Sequence, residues 1–113
     1  MCMEISKKDI IRINKGFAGN LRNDSSIDFA IDMQKNLKIG PYKKLAYLWR
    51  AILVDHPFSD GNKRTATFFA LKFAEENNKQ IDRELIVHQA LSIAKKNITN
   101  IRQIEWRIKT CIR

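Results

Sequence analysis

The chain has little glycine, proline or cysteine, and each shortage excludes a class of protein. Its 113 residues contain 4 glycines and 2 prolines, which is too few for a turn-rich β-sandwich. Its 2 cysteines, Cys2 and Cys111, lie near opposite ends of the sequence and do not have the spacing of a metal site. We therefore predict reduced thiols in a cytoplasmic protein, because disulfide-stapled domains belong to oxidising compartments.

Long apolar stretches are also missing. No run approaches the roughly 18–20 apolar residues that a membrane-spanning helix requires, and residues 1–7 do not resemble the apolar core of a signal peptide. We expect a soluble protein that is neither membrane-bound nor exported. The sequence contains no internal repeat, low-complexity tract or linker, so we predict a single domain over residues 1–113.

The charge of the chain is strongly positive. A formal net charge of +9, from 21 basic and 12 acidic residues, would suit a polyanionic partner such as nucleic acid. The basic residues are scattered, however, and the densest groups are pairs such as Lys7-Lys8, Lys43-Lys44 and Lys95-Lys96. Such scatter is typical of a solvated basic surface, so we do not expect nucleic acid to be the main partner.

The hydrophobic periodicity is helical almost throughout, and it predicts an all-α, compact single-domain bundle of about six helices. Residues 16–26 form the clearest loop by composition. Residues 27–33 fit a short strand as well as a helix, and the helix is preferred. The helix that follows Gly61 is apolar nearly all round, so we expect it at the centre of the fold. The predicted helices cover residues 7–15, 27–33, 41–55 and 61–77, a fifth from Asp82 to about Lys96, and a sixth that follows Asn100.

The most informative segment joins the third and fourth predicted helices. It reads His56-Pro57-Phe58-Ser59-Asp60-Gly61-Asn62-Lys63-Arg64-Thr65-Ala66. Because Pro57 stops the preceding helix, we expect His56 at the C-terminal end of that helix. Asp60 is then the expected N-cap of the next helix, with the side chains of His56 and Asp60 facing one pocket.

The second half of this segment has the composition of a phosphate site. The N–H groups of the residues after Asp60 would be unpaired donors at a helix N-terminus, which attracts anions. Gly61 would let a phosphate approach the backbone closely, and Asn62 would add a side-chain donor. Lys63 and Arg64 would add positive charge, which opposes the helix dipole in a first turn unless an anion compensates.

The first half supplies a base and a metal ligand. Asp60 can be the single carboxylate that Mg²⁺ needs beside substrate phosphates, and His56 is suited to accept a proton from an attacking hydroxyl. Phe58 is the expected apolar anchor of the turn. Taken alone, Asp60 is more often only an N-cap, and His56 only a residue at a helix end. The joint arrangement favours transfer of a phosphate or nucleotide group from a triphosphate to a hydroxyl.

The segment resembles the signature of the Fic/Doc (Fido) family, whose Fic branch has a His-Pro-Phe-x-Asp/Glu-Gly-Asn-Gly-Arg core. Lys63 replaces the last glycine of that core, which looks like the Doc (death-on-curing) branch. The resemblance implies the Fido fold with a small flap before the motif, somewhere in residues 18–40. It also implies ATP and Mg²⁺ as cofactors.

The same resemblance implies a role for each motif residue. His56 would be the general base toward a hydroxyl of a target protein, and Asp60 would coordinate Mg²⁺. Gly61 and Asn62 would form the anion hole, with Lys63 beside the phosphates. Arg64 would bind the phosphates of the nucleotide, and Phe58 would be the structural core position.

Two departures bear on the reaction. Thr67 stands where Fic AMP-transferases usually carry a second arginine, and Lys63 would crowd the space for the α-phosphate. The resemblance therefore implies a Doc-like toxin that moves the γ-phosphate of ATP to a target protein, for which Doc relatives suggest a translation factor. Gly61, in place of the alanine usual in Doc, favours the alternative of AMP transfer. A non-catalytic nucleotide- or nucleic-acid-binding module is the third interpretation.

The inhibitory Ser/Thr-x-x-x-Glu spacing of many Fic proteins does not occur in this sequence. If the protein is inhibited, the resemblance implies a separate antitoxin that acts in trans.

Overall fold

Six α-helices form the regular structure of this computed structural model, which describes residues 5–113. They are α1 (Lys7–Gly16), α2 (Ser25–Gln34), α3 (Pro41–Leu53), α4 (Asn62–Glu76), α5 (Arg83–Lys96) and α6 (Ile101–Lys109). The described residues form no β-sheet, only isolated antiparallel bridges between Leu21 and Phe58 and between Ile81 and Ile112. The predicted all-α fold of about six helices is confirmed.

The differences from the predicted elements are small. Residues 27–33, which fitted a strand or a helix, lie within α2. This helix begins at Ser25 with Asp24 as its N-cap, so the preceding loop is shorter than predicted. Cys2 and the remainder of residues 1–4 lie outside the described residues. None of the described helices is long and apolar enough to cross a membrane.

Short-range capping explains where several helices begin. The Ser6 hydroxyl accepts the N–H of Asp9, and the Asp9 carboxylate accepts the N–H of Ser6, which completes a capping box at α1. The side chains of Asp82 and Asn100 each accept the N–H of the residue three positions later, at 3.0 Å. Because these signals are local, the sequence predicts the helix starts well.

The core centres on α3 and not, as predicted, on α4. α3 packs against α2, α4, α5 and α6, whereas α4 contacts α1, α3 and α5. The first turn of α4 carries the exposed residues Lys63 and Arg64, so this end of the helix faces solvent. α3 buries one stripe of apolar side chains, whose members are Leu45, Leu48, Trp49, Ile52 and Leu53.

The connection between α3 and α4 is fixed at two points. The Trp49 indole N–H donates to the carbonyl oxygen of Ala66 at 2.9 Å, in the buried contact between the two helices. Phe58, inside the connecting loop, is 0% exposed and belongs to the hydrophobic core. Pro57 is buried beside Phe58, so the loop is held against the core while His56, Ser59 and Asp60 remain exposed.

Candidate active site

The connecting loop begins after Leu53, where α3 ends. His56 lies in this loop, beyond the end of α3, and it is exposed. Its backbone is left-handed, with φ of 47°, which a non-glycine residue adopts only when its surroundings impose it. The Arg22 guanidinium lies 3.5 Å from the His56 carbonyl oxygen. The helix is thus shorter than predicted, and the loop sets the position of the imidazole.

The N-cap of α4 is Gly61 and not, as predicted, Asp60. The Asp60 carboxylate accepts the N–H of Gly61 through Oδ1 at 2.7 Å and caps no N–H group within the helix. Gly61 has φ of 75°, and a β-carbon there would lie 2.9 Å from both Cβ and the carbonyl oxygen of Phe17. The glycine is therefore explained by its backbone conformation and by Phe17. Its role in making room for a phosphate stays a prediction.

The first turn of α4 has unpaired N–H groups and no negative charge. The N–H groups of residues 62–64 have no hydrogen-bond partner among the residues that the structure describes, and Thr65 is the first to bond back, to Gly61. The first turn contains no acidic residue. Lys63 and Arg64 are exposed and form no ion pair within the described chain. Unpaired donors, the helix dipole and two cations together make this end of α4 electrostatically suited to an anion.

A cleft of about 340 Å³ lies at this end of α4, and it brings most of the predicted site residues together. It is lined by Ser59, Asp60, Gly61, Asn62, Lys63 and Arg64. His56 is not among the lining residues, although we predicted that His56 and Asp60 face one pocket. The backbone of His56 is left-handed, and Phe58, which lies between His56 and Asp60 in the sequence, is buried in the core.

The Asn62 side chain closes the loop onto itself. Its Oδ1 accepts the N–H of Phe58 at 3.3 Å, and its Nδ2 donates to the Phe58 carbonyl oxygen at 3.0 Å. The predicted side-chain donor for an anion is thus engaged within the protein. What Asn62 offers to a ligand is its backbone N–H.

A segment preceding α2 pairs with the motif loop. Asn20 and Ser59 exchange two hydrogen bonds, from Asn20 N–H to Ser59 Oγ at 3.0 Å and from Ser59 N–H to the Asn20 carbonyl oxygen at 2.9 Å. The Pro57 carbonyl oxygen accepts the N–H groups of Arg22 at 2.8 Å and Asn23 at 3.3 Å. This segment lies in the region in which we predicted the flap, and it fixes one side of the loop.

The other side of the loop is held by Asn14, which the sequence analysis missed. Asn14 lies near the end of α1 and is 0% exposed. Its Nδ2 donates to the Asp60 carbonyl oxygen at 2.8 Å and to Thr65 Oγ1 at 3.1 Å. The Thr65 hydroxyl in turn donates to the Gly61 carbonyl oxygen at 2.8 Å. The available signal was a polar residue one turn after the buried Ile10, on the inner face of α1.

The donor set fits a metal ion that arrives with phosphate. The described residues contain no group of three or more His, Cys, Asp or Glu side chains that could hold a metal ion, which excludes a zinc-type centre from this part of the chain. Asp60 is exposed, and its Oδ2 has no partner in the described structure. One carboxylate oxygen beside an anion site is sufficient for Mg²⁺ when substrate phosphates and water supply the other ligands.

The fold and the cleft together define a class of protein, a helical bundle with a cleft at the N-terminus of a helix that follows a histidine-containing loop. The family model described as Fic/DOC family matches residues 5–74, more than half of the chain, including the whole motif and α1 to α4 up to Ala74. The chain therefore belongs to the Fic/DOC family. No curated protein and no solved structure matches it with significance.

Membership of this family identifies the chain in general terms as a Fic-type transferase. The family transfers nucleotidyl or phosphate groups to proteins. The resemblance stated from the motif is thus confirmed at the level of the family, and the assignment to the Doc branch stays a prediction.

Proposed function

We propose that this protein transfers the γ-phosphate of ATP to a hydroxyl group of a target protein, as the Doc branch of its family is expected to do. The observation that carries the proposal is Lys63, an exposed cation without an acidic partner in the first turn of α4. Thr67 lies on the same helix, so the second arginine of Fic AMP-transferases has no counterpart here.

The phosphates of ATP would bind at the cleft. The unpaired N–H groups of residues 62–64 would donate to phosphate oxygens, and Lys63 and Arg64 would balance their charge. Asp60 would hold Mg²⁺ through its free carboxylate oxygen. When bound, Mg²⁺ supplies charge neutralisation and orientation of the phosphates.

His56 would accept the proton of the attacking hydroxyl. It is exposed, so a protein substrate could reach it, and its left-handed backbone is held in place by the rigid loop. Strained backbone of this kind occurs most often at functional sites. General base catalysis by a placed histidine contributes about 10²–10⁴-fold to a rate.

The alternative within the family is transfer of AMP to a protein hydroxyl. In the sequence, Gly61 favoured this reaction because Doc proteins usually have alanine there. The backbone conformation of Gly61 and the proximity of Phe17 account for the glycine without reference to the nucleotide. The remaining difference from the Fic core is Lys63, so we prefer transfer of the γ-phosphate. A cytoplasmic location, a translation factor as target and an antitoxin acting in trans belong to the same proposal.

The test uses ATP labelled separately at the α and γ phosphates, with Mg²⁺, in a lysate that contains candidate target proteins. We expect label from the γ position only, and its loss in His56→Ala. His88→Ala is the matched control, because His88 is the other histidine of the chain and is exposed on α5. Label from the α position would show AMP transfer instead. A protein that binds Mg²⁺-ATP but transfers neither label to any target would support the non-catalytic interpretation.

A further inference from the structure

One buried amide connects the end of α1 to the start of α4. Asn14 Nδ2 donates to the carbonyl oxygen of Asp60 and to the hydroxyl of Thr65, at 2.8 and 3.1 Å. The same hydroxyl donates to the carbonyl oxygen of Gly61. The Asp60 carbonyl group is therefore held directly by Asn14. The Gly61 carbonyl group, which also accepts the N–H of Thr65 at 2.9 Å, is linked to Asn14 through the Thr65 hydroxyl.

The backbone at two glycines packs closely against this amide and leaves no room for a β-carbon. A β-carbon at Gly19 would overlap the Asn14 Oδ1 and the Asp60 carbonyl oxygen, and a β-carbon at Gly61 would lie 3.1 Å from the Asn14 Nδ2. These close approaches hold the amide in one orientation. The N–H of Gly19 also donates to the Asn14 carbonyl oxygen at 3.2 Å, which fixes the turn after α1 in this position.

The amide is kept at a cost. Asn14 Oδ1 is buried and has no hydrogen-bond partner among the described residues, and such acceptors are rare in folded proteins. An apolar residue would fill the same space without leaving a polar atom unpaired. The two hydrogen bonds that Asn14 donates, both to the beginning of α4, therefore explain why an asparagine occupies this buried position.

We propose that Asn14 is a positioning residue for the phosphate site, which it serves by fixing the peptide between Asp60 and Gly61. This inference rests on the proposed function, since it assumes that the cleft binds phosphate. The Asp60 Oδ1 bonds to the N–H of that same peptide, and the unpaired N–H groups begin one residue later. Rotation of the peptide would move the carboxylate and the N–H of Asn62 together, without any loss of charge from the site.

The first arm of the test needs no ligand. In ¹H–¹⁵N spectra of the free protein, Asn14→Ala should shift and broaden the amide signals of Gly61 and Asn62. Thr65→Val removes the hydroxyl but keeps the shape of the side chain, and it should shift the same two signals. This second variant keeps the test decisive if Asn14→Ala does not fold. Ile104→Val, a truncation in the core on α6, is the matched control and should leave them in place.

The second arm measures the dissociation constant of ATP in the presence of Mg²⁺. We expect about tenfold weaker binding in Asn14→Ala and about fivefold weaker binding in Thr65→Val, the scale of one lost hydrogen bond. Thr65→Ser keeps the hydroxyl and should bind ATP within about twofold of the wild type, which a purely packing role of Thr65 would not predict.

The two arms distinguish the failure of this inference from that of the proposed function. If the Gly61 and Asn62 signals in both Asn14→Ala and Thr65→Val match those of Ile104→Val, Asn14 does not position the site. Normal ATP affinity in both variants would lead to the same conclusion. If the wild-type protein does not bind ATP, the proposed function fails, and the spectra of the free protein still decide whether Asn14 fixes the loop.

Discussion

Replacement of Lys63 by glutamate should make the ligand-free protein more stable and weaken its stabilisation by ATP. Lys63 lies in the first turn of α4, where the helix dipole disfavours a cation and favours an anion. If this lysine is retained for a phosphate, its position costs stability until the phosphate is bound. Lys63→Glu removes an unfavourable charge and adds a favourable one.

The size of the effect follows from the exposure of the site. A single charge in the first turn changes the free energy of unfolding by about 0.3–1 kcal/mol at low salt, and the substitution reverses one charge. Because Lys63 is exposed, we take the lower values and expect a gain of about 0.5–1 kcal/mol. For a domain of this length that raises the melting temperature by roughly 2–5 °C. The gain should disappear near 1 M salt, where charges are screened over about 3 Å.

The assay is thermal unfolding at low and high salt, with and without ATP and Mg²⁺. At an ATP concentration 100 times the dissociation constant, the free energy of unfolding of the wild type should increase by about 2.7 kcal/mol. The increase for Lys63→Glu should be much smaller. The control is Lys79→Glu, which makes the same change in net charge just beyond the other end of α4, where the Lys79 N–H donates to the Ala74 carbonyl oxygen. There the dipole favours a cation, so this variant should lose stability.

Two results would contradict the reasoning. If Lys63→Glu destabilises the ligand-free protein at low salt, Lys63 makes favourable contacts and is not retained for an anion. If the variant is stabilised but responds to ATP as the wild type does, the phosphates bind somewhere other than the start of α4.

Two further predictions concern the thiol of Cys111 and the ion pair between Lys7 and Asp24. Burial raises the pKa of the Cys111 thiol, so iodoacetamide at pH 8 should modify this cysteine far more slowly in the folded protein than in denaturant. The rates are measured by mass spectrometry of the peptide that contains Cys111, and equal rates would mean that the thiol is accessible. The hydrogen bond from Lys7 at 2.7 Å lowers the pKa of Asp24, so this ion pair stabilises the fold above about pH 4 and is lost as the pH falls further. The stability advantage of the wild type over Asp24→Asn should therefore shrink as the pH falls below about 4. An advantage that stays constant as the pH falls would contradict this assignment.

The sequence predicted the helices well because their signals are local. Ser6, Asp82 and Asn100 bond to residues three positions away, and such spacings can be seen in the sequence. The position of each helix in the bundle is not a local property. Residues 61–77 look like a central helix because they are apolar on nearly all sides, but α3 makes more of the packing contacts.

The sequence placed the motif residues well where they are continuous in one helix, and it was wrong about the N-cap of α4 and the end of α3, which depend on loop conformation. Residues 61–64 share one helix end, so their grouping follows from the sequence. The positive φ angle of His56 could not be predicted, because histidine does not signal that conformation. The engagement of Asn62 with Phe58 and the role of Asn14 depend on side-chain contacts that the motif does not encode.

The bonds that hold the motif loop differ greatly in sequence separation, and this has a consequence for folding. The contact between Trp49 and Ala66 closes a segment of 17 residues, whereas the bonds of Asn20 to Ser59 and of Asn14 to Asp60 close 39 and 46. Because longer segments lose more chain entropy on closure, the α3–α4 hairpin can assemble before the loop becomes rigid. A fragment that begins at α3 would contain the entire family signature but would lack both Asn14 and Asn20, and with them the hydrogen bonds that hold the two sides of the motif loop. The signature marks the site, but two distant stretches of the chain are needed to build it.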